Sequence, residues 1–169
     1  LVRSAKLTRH LIPLTERFAR QRLADLTRNW EAGVPQVLFV CVQNAGRSQL
    51  AAALVNQLAG GTVIARSAGS TPAADVHPHV RSLLTEIEGE HDAETAFPKP
   101  LTDDAVRAAD VVITMGCGDA CPFFPGKRYE DWKLDDPAGQ GIDAVRPIRD
   151  DIKTRIQTLI DSLLTPAAP

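Results

Sequence analysis

Three cysteines, one arginine and one aspartate carry the chemistry that this sequence can be read to perform. Cys41 opens the segment Cys41-Val42-Gln43-Asn44-Ala45-Gly46-Arg47-Ser48, directly after an apolar run. Between a strand and a helix, this C-x5-R spacing puts a thiol at the floor of a loop whose backbone N–H groups converge on one point. Such a loop cradles a tetrahedral oxyanion, with Gln43, Asn44, Ala45, Gly46 and Arg47 as its binding residues. The helix dipole, the ring of N–H groups and the Arg47 guanidinium all favour thiolate, which would make Cys41 a nucleophile. Arg47 can grip two oxygens of the anion, and Ser48 can donate to the sulfur and help it leave later. Asn44 suits a left-handed turn position, and Gly46 removes a side chain where the backbone must approach the ligand.

A bare C-x5-R pattern arises by chance in many chains, and the bland alternative is a buried cysteine ending a strand beside a solvent-facing arginine. Asp136-Pro137 adds a second element: a carboxylate in a loop after the last expected strand can overhang the first loop and act as general acid. Taken alone, an Asp-Pro pair is a turn. Cys117 and Cys121 form a C-x3-C pair after another apolar run. Three thiols with no export signal argue for reactive or metal-binding cysteine rather than a disulfide scaffold. A zinc site would need His77 and His79 as its other half, but His77-Pro78-His79 reads better as a helix start. His10 and His91 read as solvated side chains.

The chain has 169 residues with 44% apolar and 24% charged residues, the composition of one globular domain. Its 19 basic and 21 acidic residues leave a net charge of −2. No basic surplus exists to neutralise many phosphates, so nucleic acid is excluded as a partner. No apolar run approaches a membrane span and no secretory pattern is read, so a cytoplasmic protein without membrane association is expected. The chain opens at Leu1, so residues preceding it are expected in the native protein.

The elements that must position these residues follow from periodicity. Residues 1–33 read as a helical extension, with Pro13 in an early turn and a stripe of Ala19, Leu23, Leu26 and Trp30 at helical spacing. Leu14 and Phe18 lie roughly 100° away from that stripe. The helix therefore has either one broad buried face or two contacts, one with the body of the domain and one with a second subunit. From residue 34 to 169, short apolar runs alternate with amphipathic stretches. Strands are expected at Gln36–Val42, Thr62–Arg66, Val111–Met115 and Tyr129–Leu134. Helices are expected at Arg47–Ala59, Pro78–Glu88, from the Thr102 cap through Ala109, and from about Asp143 to Leu164. This alternation implies right-handed βαβ units and a parallel sheet covered on both faces.

Cys41–Ser48 followed by Gln49, together with Asp136-Pro137-Ala138-Gly139, resembles the low-molecular-weight protein tyrosine phosphatase fold in its arsenate reductase branch. The resemblance covers residues 34–165. It implies an α/β fold with four parallel strands in the order 2-1-3-4, flanked by helices, with the active site at their C-terminal edge. Phosphatases of this fold usually have Asp-Pro-Tyr, whose ring walls a phenol, where this sequence has Ala138. They also tend to have Pro after Arg-Ser, where this sequence has Gln49.

Thr114–Pro122 resembles the segment that holds two further redox cysteines in thioredoxin-coupled arsenate reductases. The resemblance implies a relay. Cys41 attacks arsenate, Asp136 protonates the departing hydroxide, Cys117 attacks the Cys41 sulfur to release arsenite, and Cys121 then attacks Cys117. Thioredoxin resets the resulting disulfide with electrons from NADPH through thioredoxin reductase, and no bound cofactor is implied. The C-x3-C spacing is shorter than in the best-known members. Some members hold potassium beneath the anion loop, where this sequence has Ala52 and Lys99 or Pro100, so Lys99 is a candidate to supply that cation itself. Gln43–Gly46 and Gly126–Trp132 also resemble reductases that draw electrons from mycothiol and need only the loop cysteine. A phosphatase is the other enzymatic alternative, and an oxyanion- or redox-sensing module the non-enzymatic one. The 1–33 segment resembles N-terminal helical extensions of actinobacterial reductases, with homodimerisation as a candidate role.

Overall fold

A computed structural model describes residues 11–28 and 33–165. The first described helix, α1 (Leu11–Leu26), precedes strand β1 (Gln36–Cys41), helix α2 (Arg47–Ala59) and strand β2 (Ile64–Gly69). Helices α3 (Pro78–Glu88), α4 (Glu90–Thr95) and α5 (Asp103–Ala108) follow, then strand β3 (Val111–Met115), strand β4 (Arg128–Asp131) and the long helix α6 (Ile142–Leu164). The four strands form one parallel sheet in the order β2-β1-β3-β4. This is the expected fold class and strand order.

β1 is central because its sequence can be buried on both sides. Val37 through Cys41 are all buried, and a strand sandwiched between helices reads as a continuous apolar run. Alternate residues face two separate cores. Val37, Phe39 and Cys41 pack with α2, α3 and α6, whereas Leu38 and Val40 pack with α5 and with Cys117. The Ala51-Ala52-Ala53 run keeps α2 narrow, so the helix sits close to the sheet with nine of its residues buried. Gly60, with φ of +52°, ends it in the left-handed conformation that glycine adopts without strain.

The boundaries of β1, α2, α3, β3 and α6 fall within a residue or so of expectation. β2 starts at Ile64 rather than Thr62 and extends to Gly69. Pairing decides its extent, because Gln36↔Ile64 through Cys41↔Gly69 matches it to all of β1. β4 stops at Asp131 instead of Leu134, although the Trp132 N–H still donates to the Thr114 carbonyl at 2.8 Å. α4 was not expected, since a six-residue helix with one buried residue leaves almost no periodic signal.

Of the two expected arrangements of the N-terminal helix, one broad buried face is not what forms. Ala19, Leu23 and Leu26 face solvent, with Leu23 and Leu26 60% and 65% exposed. Trp30 lies outside the described residues. Phe18 and a set of ion pairs hold α1 to the domain instead. Arg22 pairs with Asp104 at 2.9 Å, and Asp25 accepts from Arg66 of β2 at 2.6 Å. The helix therefore has two faces with different uses, one docked and one open.

Asp25 is buried, and its Oδ2 has no hydrogen-bond partner among the described residues. Burial pushes its carboxyl above the usual range while Arg66 pulls it back. An Arg66→Met variant leaves this carboxyl unpaired in the interior and should lose about 2 kcal/mol in urea unfolding, less than a fully buried pair because Arg66 keeps some exposure. Unfolding within 0.5 kcal/mol of wild type would contradict it.

Candidate active site

The loop Val42–Gly46 leaves the C-terminal end of β1 and enters α2, and its shape is set by where its carbonyl groups go. The carbonyl oxygens of Cys41, Val42, Gln43 and Ala45 accept from the N–H groups of Ser70, Thr71, Ala73 and His77 at 2.8–3.1 Å. The segment after β2 thus straps the loop from outside. With the carbonyls turned outward, the loop N–H groups are left facing inward, which is how a peptide concavity binds an anion. The N–H of Asn44 donates there to Cys41 Sγ at 3.2 Å.

Asn44 adopts φ of +48° and is fully buried. Its side chain stabilises this conformation from both ends. Nδ2 donates to Ser48 Oγ at 2.8 Å, and Oδ1 accepts from the Lys99 N–H at 2.8 Å and from Gln49 Nε2 at 3.2 Å. Ser48 Oγ in turn lies 2.9 Å from Cys41 Sγ. Against a thiolate, Ser48 must be the donor, and its oxygen is already oriented by Asn44. Gln49 Nε2 also donates to the carbonyls of Asn44 and Phe97 at 3.0 and 2.9 Å. The sequence reading had used Gln49 only as a mark of resemblance, so its structural work was missed.

The structure brings Arg47 and Asp136 together. Arg47 Nη2 lies 3.5 Å from Asp136 Oδ2, and Nη1 donates to the Leu134 carbonyl at 3.1 Å. Gly116 lies against the same guanidinium, so Arg47 touches both the loop that carries Cys117 and the loop that carries Asp136. Asp136 is exposed at the rim. Pro137 is buried against Gly46, where an added Cβ would come within 2.6 Å of Pro137 Cγ. Gly46 therefore makes room for the Asp136 loop as well as for the expected ligand approach. Gly69 is a second close approach: a Cβ there would sit 2.7 Å from the Val42 carbonyl oxygen. From the sequence it reads as a loop glycine after the Thr62–Arg66 strand, with no residue-type signal for this role.

The three cysteines are free. Cys117 is buried in the α5-side core with Sγ 3.7 Å from the Val40 carbonyl oxygen, while Cys41 belongs to the opposite core. Burial pushes the Cys117 thiol up, with Cys41 and Asp131 adding to it; burial, aided by Cys117, pushes Cys121 up to about 11. In this conformation burial favours the thiol form of both. The segment beyond is fastened: Tyr129 OH accepts from the Phe124 N–H and donates to the Pro122 carbonyl at 2.9 and 3.2 Å. His77 lies near Gly46. Among the described residues no group of three or more His, Cys, Asp and Glu could hold a metal ion.

Lys99 sits beneath the loop, its Nζ donating to the Phe97 carbonyl at 3.2 Å. Burial, helped by Arg17 and only partly offset by Glu88, pushes its ammonium down to about 8.

With this geometry in place, the chain can be set beside known proteins. The profile of the family described as low molecular weight phosphotyrosine protein phosphatase matches residues 36–166. The chain belongs to this family. Within the family, a solved structure of a thioredoxin-dependent arsenate reductase from Corynebacterium glutamicum is 49% identical, with a TM-score of 0.80, over 95% of this chain and 79% of that one. A Synechocystis relative named glutaredoxin arsenate reductase is 32% identical over 74% of this chain and 95% of its own length. A solved structure of YwlE arginine phosphatase from Geobacillus stearothermophilus is 26% identical, with a TM-score of 0.63, over 76% of this chain and 92% of that one.

Gly46→Ala should displace the Asp136–Pro137 loop and lower stability by about 1–3 kcal/mol in urea unfolding. An unchanged midpoint would show that Pro137 yields without cost.

Proposed function

We propose that this protein reduces arsenate to arsenite through Cys41, Cys117 and Cys121, with thioredoxin as the electron donor, in arsenic detoxification. The observation that carries the relay is the seat of Cys117, whose sulfur lies against the carbonyl of the residue preceding Cys41. The reading is supported further by the 49% identity to a thioredoxin-dependent arsenate reductase over almost the whole chain.

Arsenate enters the loop with its oxygens on the inward N–H groups of Gln43, Asn44, Ala45, Gly46 and Arg47 and on the Arg47 guanidinium. Cys41 attacks arsenic as a thiolate, steadied by Ser48, and Asp136 gives a proton to the departing hydroxide. The Cys117 thiolate then attacks the Cys41 sulfur of the adduct. The sulfur–arsenic bond breaks, its electron pair stays on arsenic as arsenite leaves, and the two sulfurs are oxidised to a Cys41–Cys117 disulfide. Cys121 attacks Cys117, frees Cys41 as thiolate and closes a Cys117–Cys121 disulfide. Thioredoxin returns two electrons, drawn from NADPH through thioredoxin reductase.

The buried seat of Cys117 gives this sequence a physical requirement. Bonded cysteines have α-carbons within roughly 7 Å, and three cysteines cannot all pair at once. Cys117 must leave the α5-side core to reach Cys41, which also relieves the burial that holds it as a thiol. Gly116 and Gly118, both at positive φ, flank it and allow that swing. The Tyr129 contacts leave Pro122–Phe124 as a fixed end for the moving segment.

The remaining elements fit the same reading. Residues 1–33 are read as an extension to a reductase domain of 34–169, with α1 as the described helix of that extension. The open Ile12, Leu23 and Leu26 face of α1 is where a second copy would be held in a homodimer. Among the described residues no helix is long and apolar enough to cross a membrane, and we place the protein in the cytoplasm, where thioredoxin keeps thiols reduced.

Purified protein should consume NADPH with arsenate, thioredoxin and thioredoxin reductase, and Cys41→Ser, Cys117→Ser and Cys121→Ser should each reduce the rate at least about 100-fold, because each removes a covalent step. Turnover only with mycothiol would remove Cys121 from the mechanism, and efficient aryl phosphate hydrolysis without arsenate turnover would make the protein a phosphatase. Light scattering should give a dimer mass that Leu23→Lys reduces to a monomer; a wild-type monomer would refute the dimer.

A further inference from the structure

The docked face of α1 meets the domain at the segment that supports the anion loop. Phe18 packs edge-on against Phe97, with ring centroids 6.4 Å apart and planes at 87°. One residue before Phe18, Arg17 donates to the Thr95 carbonyl at 3.3 Å. α1 thus contacts residues 95–97 twice.

From Phe97 the connection to Cys41 is continuous. Its carbonyl accepts from Gln49 Nε2 and Lys99 Nζ at 2.9 and 3.2 Å. Gln49 is bonded to Asn44, and the Lys99 N–H is bonded to Asn44 Oδ1. Asn44 orients Ser48, and both Asn44 N–H and Ser48 Oγ contact the Cys41 sulfur. The Lys99 carbonyl further accepts from the Gly69 N–H at 2.8 Å, so the 97–99 segment also braces the end of β2. A non-glycine residue at positive φ persists where its surroundings over-determine it, and for Asn44 those surroundings include the Phe97–Lys99 backbone.

A cavity of about 510 Å³, lined by Arg17 and Gln21 of α1 and by Gln49, Asn56 and Lys99 across from them, separates the helix from α2. The Phe18–Phe97 ring contact, beside the Arg17–Thr95 hydrogen bond, is where the helix bears on the support.

We propose that α1 is a positioning element of the anion loop, with Phe18 holding the Phe97–Lys99 segment in the place from which Gln49 and Asn44 set Ser48 and the Cys41 sulfur. The N-terminal extension is then part of the catalytic support and not an appendage. Phe18 touches neither substrate nor the reacting atoms, so it is a positioning residue. The inference rests on the reading of Cys41 as the reacting thiol.

The test compares Phe18→Ala with Arg20→Ala, which is exposed on the same helix about 200° around from Phe18, is paired with Glu16 within the helix and serves as control. In the full chain, the arsenate KM of Phe18→Ala should rise about three- to tenfold, the scale of one lost aromatic pair. Its kcat should change less than twofold, and Phe18→Tyr, which keeps the ring, should restore KM. In a Cys117→Ser/Cys121→Ser background, iodoacetamide alkylation of Cys41 at pH 7 should slow by a similar factor for Phe18→Ala and stay within twofold for Arg20→Ala. A lower melting temperature with both readouts within twofold of wild type would overturn the proposal, because α1 would then only stabilise the fold. Equal effects from the two variants would overturn it as well. Should Phe18→Ala fail to fold, Phe18→Leu removes the ring while keeping apolar volume and is read in the same way. The alkylation arm needs no arsenate turnover, so failure of the reductase reading is distinguishable from failure of this one.

Discussion

Four carbonyl oxygens pointing the wrong way for an anion are the constraint on which this molecule depends. A peptide loop that turns its N–H groups inward must turn its carbonyls outward, and buried carbonyls need donors. The segment after β2 supplies them from Ser70, Thr71, Ala73 and His77. The strap can reach the loop because β2 runs parallel to β1 and in register to its last residue, with Cys41 opposite Gly69. Gly69 and Gly46 then remove the two side chains that would hold the strap and the Asp136 loop away. Sheet register, loop polarity and glycine placement are parts of one solution.

The same sheet explains how three thiols can be close and yet kept apart. Side chains on a strand alternate between faces. Cys41 points into the core formed with α2 and α6, and its neighbour Val40 points into the core that holds Cys117. The sulfurs lie near the same strand end but on different sides of it. Burial holds Cys117 and Cys121 as protonated thiols in this conformation. In the proposed relay, where the thiolate is the reactive form, reactivity is then coupled to a swing about Gly116 and Gly118, both at positive φ.

Electrostatics are handled locally. Arg47 is held by the Leu134 carbonyl and Asp136 at the rim, so its guanidinium is kept at the mouth without being buried against a single carboxylate. Lys99 is a cation under the loop with one backbone carbonyl as its hydrogen-bond partner, and burial lowers its pKa to about 8. α1 adds ion pairs on its docked face through Arg22 and Asp25, which lets a helix with exposed leucines on its other face remain attached.

Periodicity and spacing in the sequence determined the four-stranded parallel sheet, the strand–loop–helix around Cys41 and the left-handed place of Asn44. These are local properties, fixed by apolar runs, residue type and the conformational preferences of a few positions. Tertiary structure alone decided the rest. Which face of α1 docks could not be read, because the Leu23–Leu26 stripe and the Leu14–Phe18 patch are both apolar, and ion pairs to Asp104 and Arg66, some 40 to 80 residues away, helped decide between them. The roles of Gln49, Gly69 and the 70–77 strap depend on backbone groups that carry no residue-type signal. The separation of Cys117 from Cys41 depends on which side of β1 each sulfur enters. That is set by how a loop packs against a core, and no spacing of cysteines along the chain encodes it.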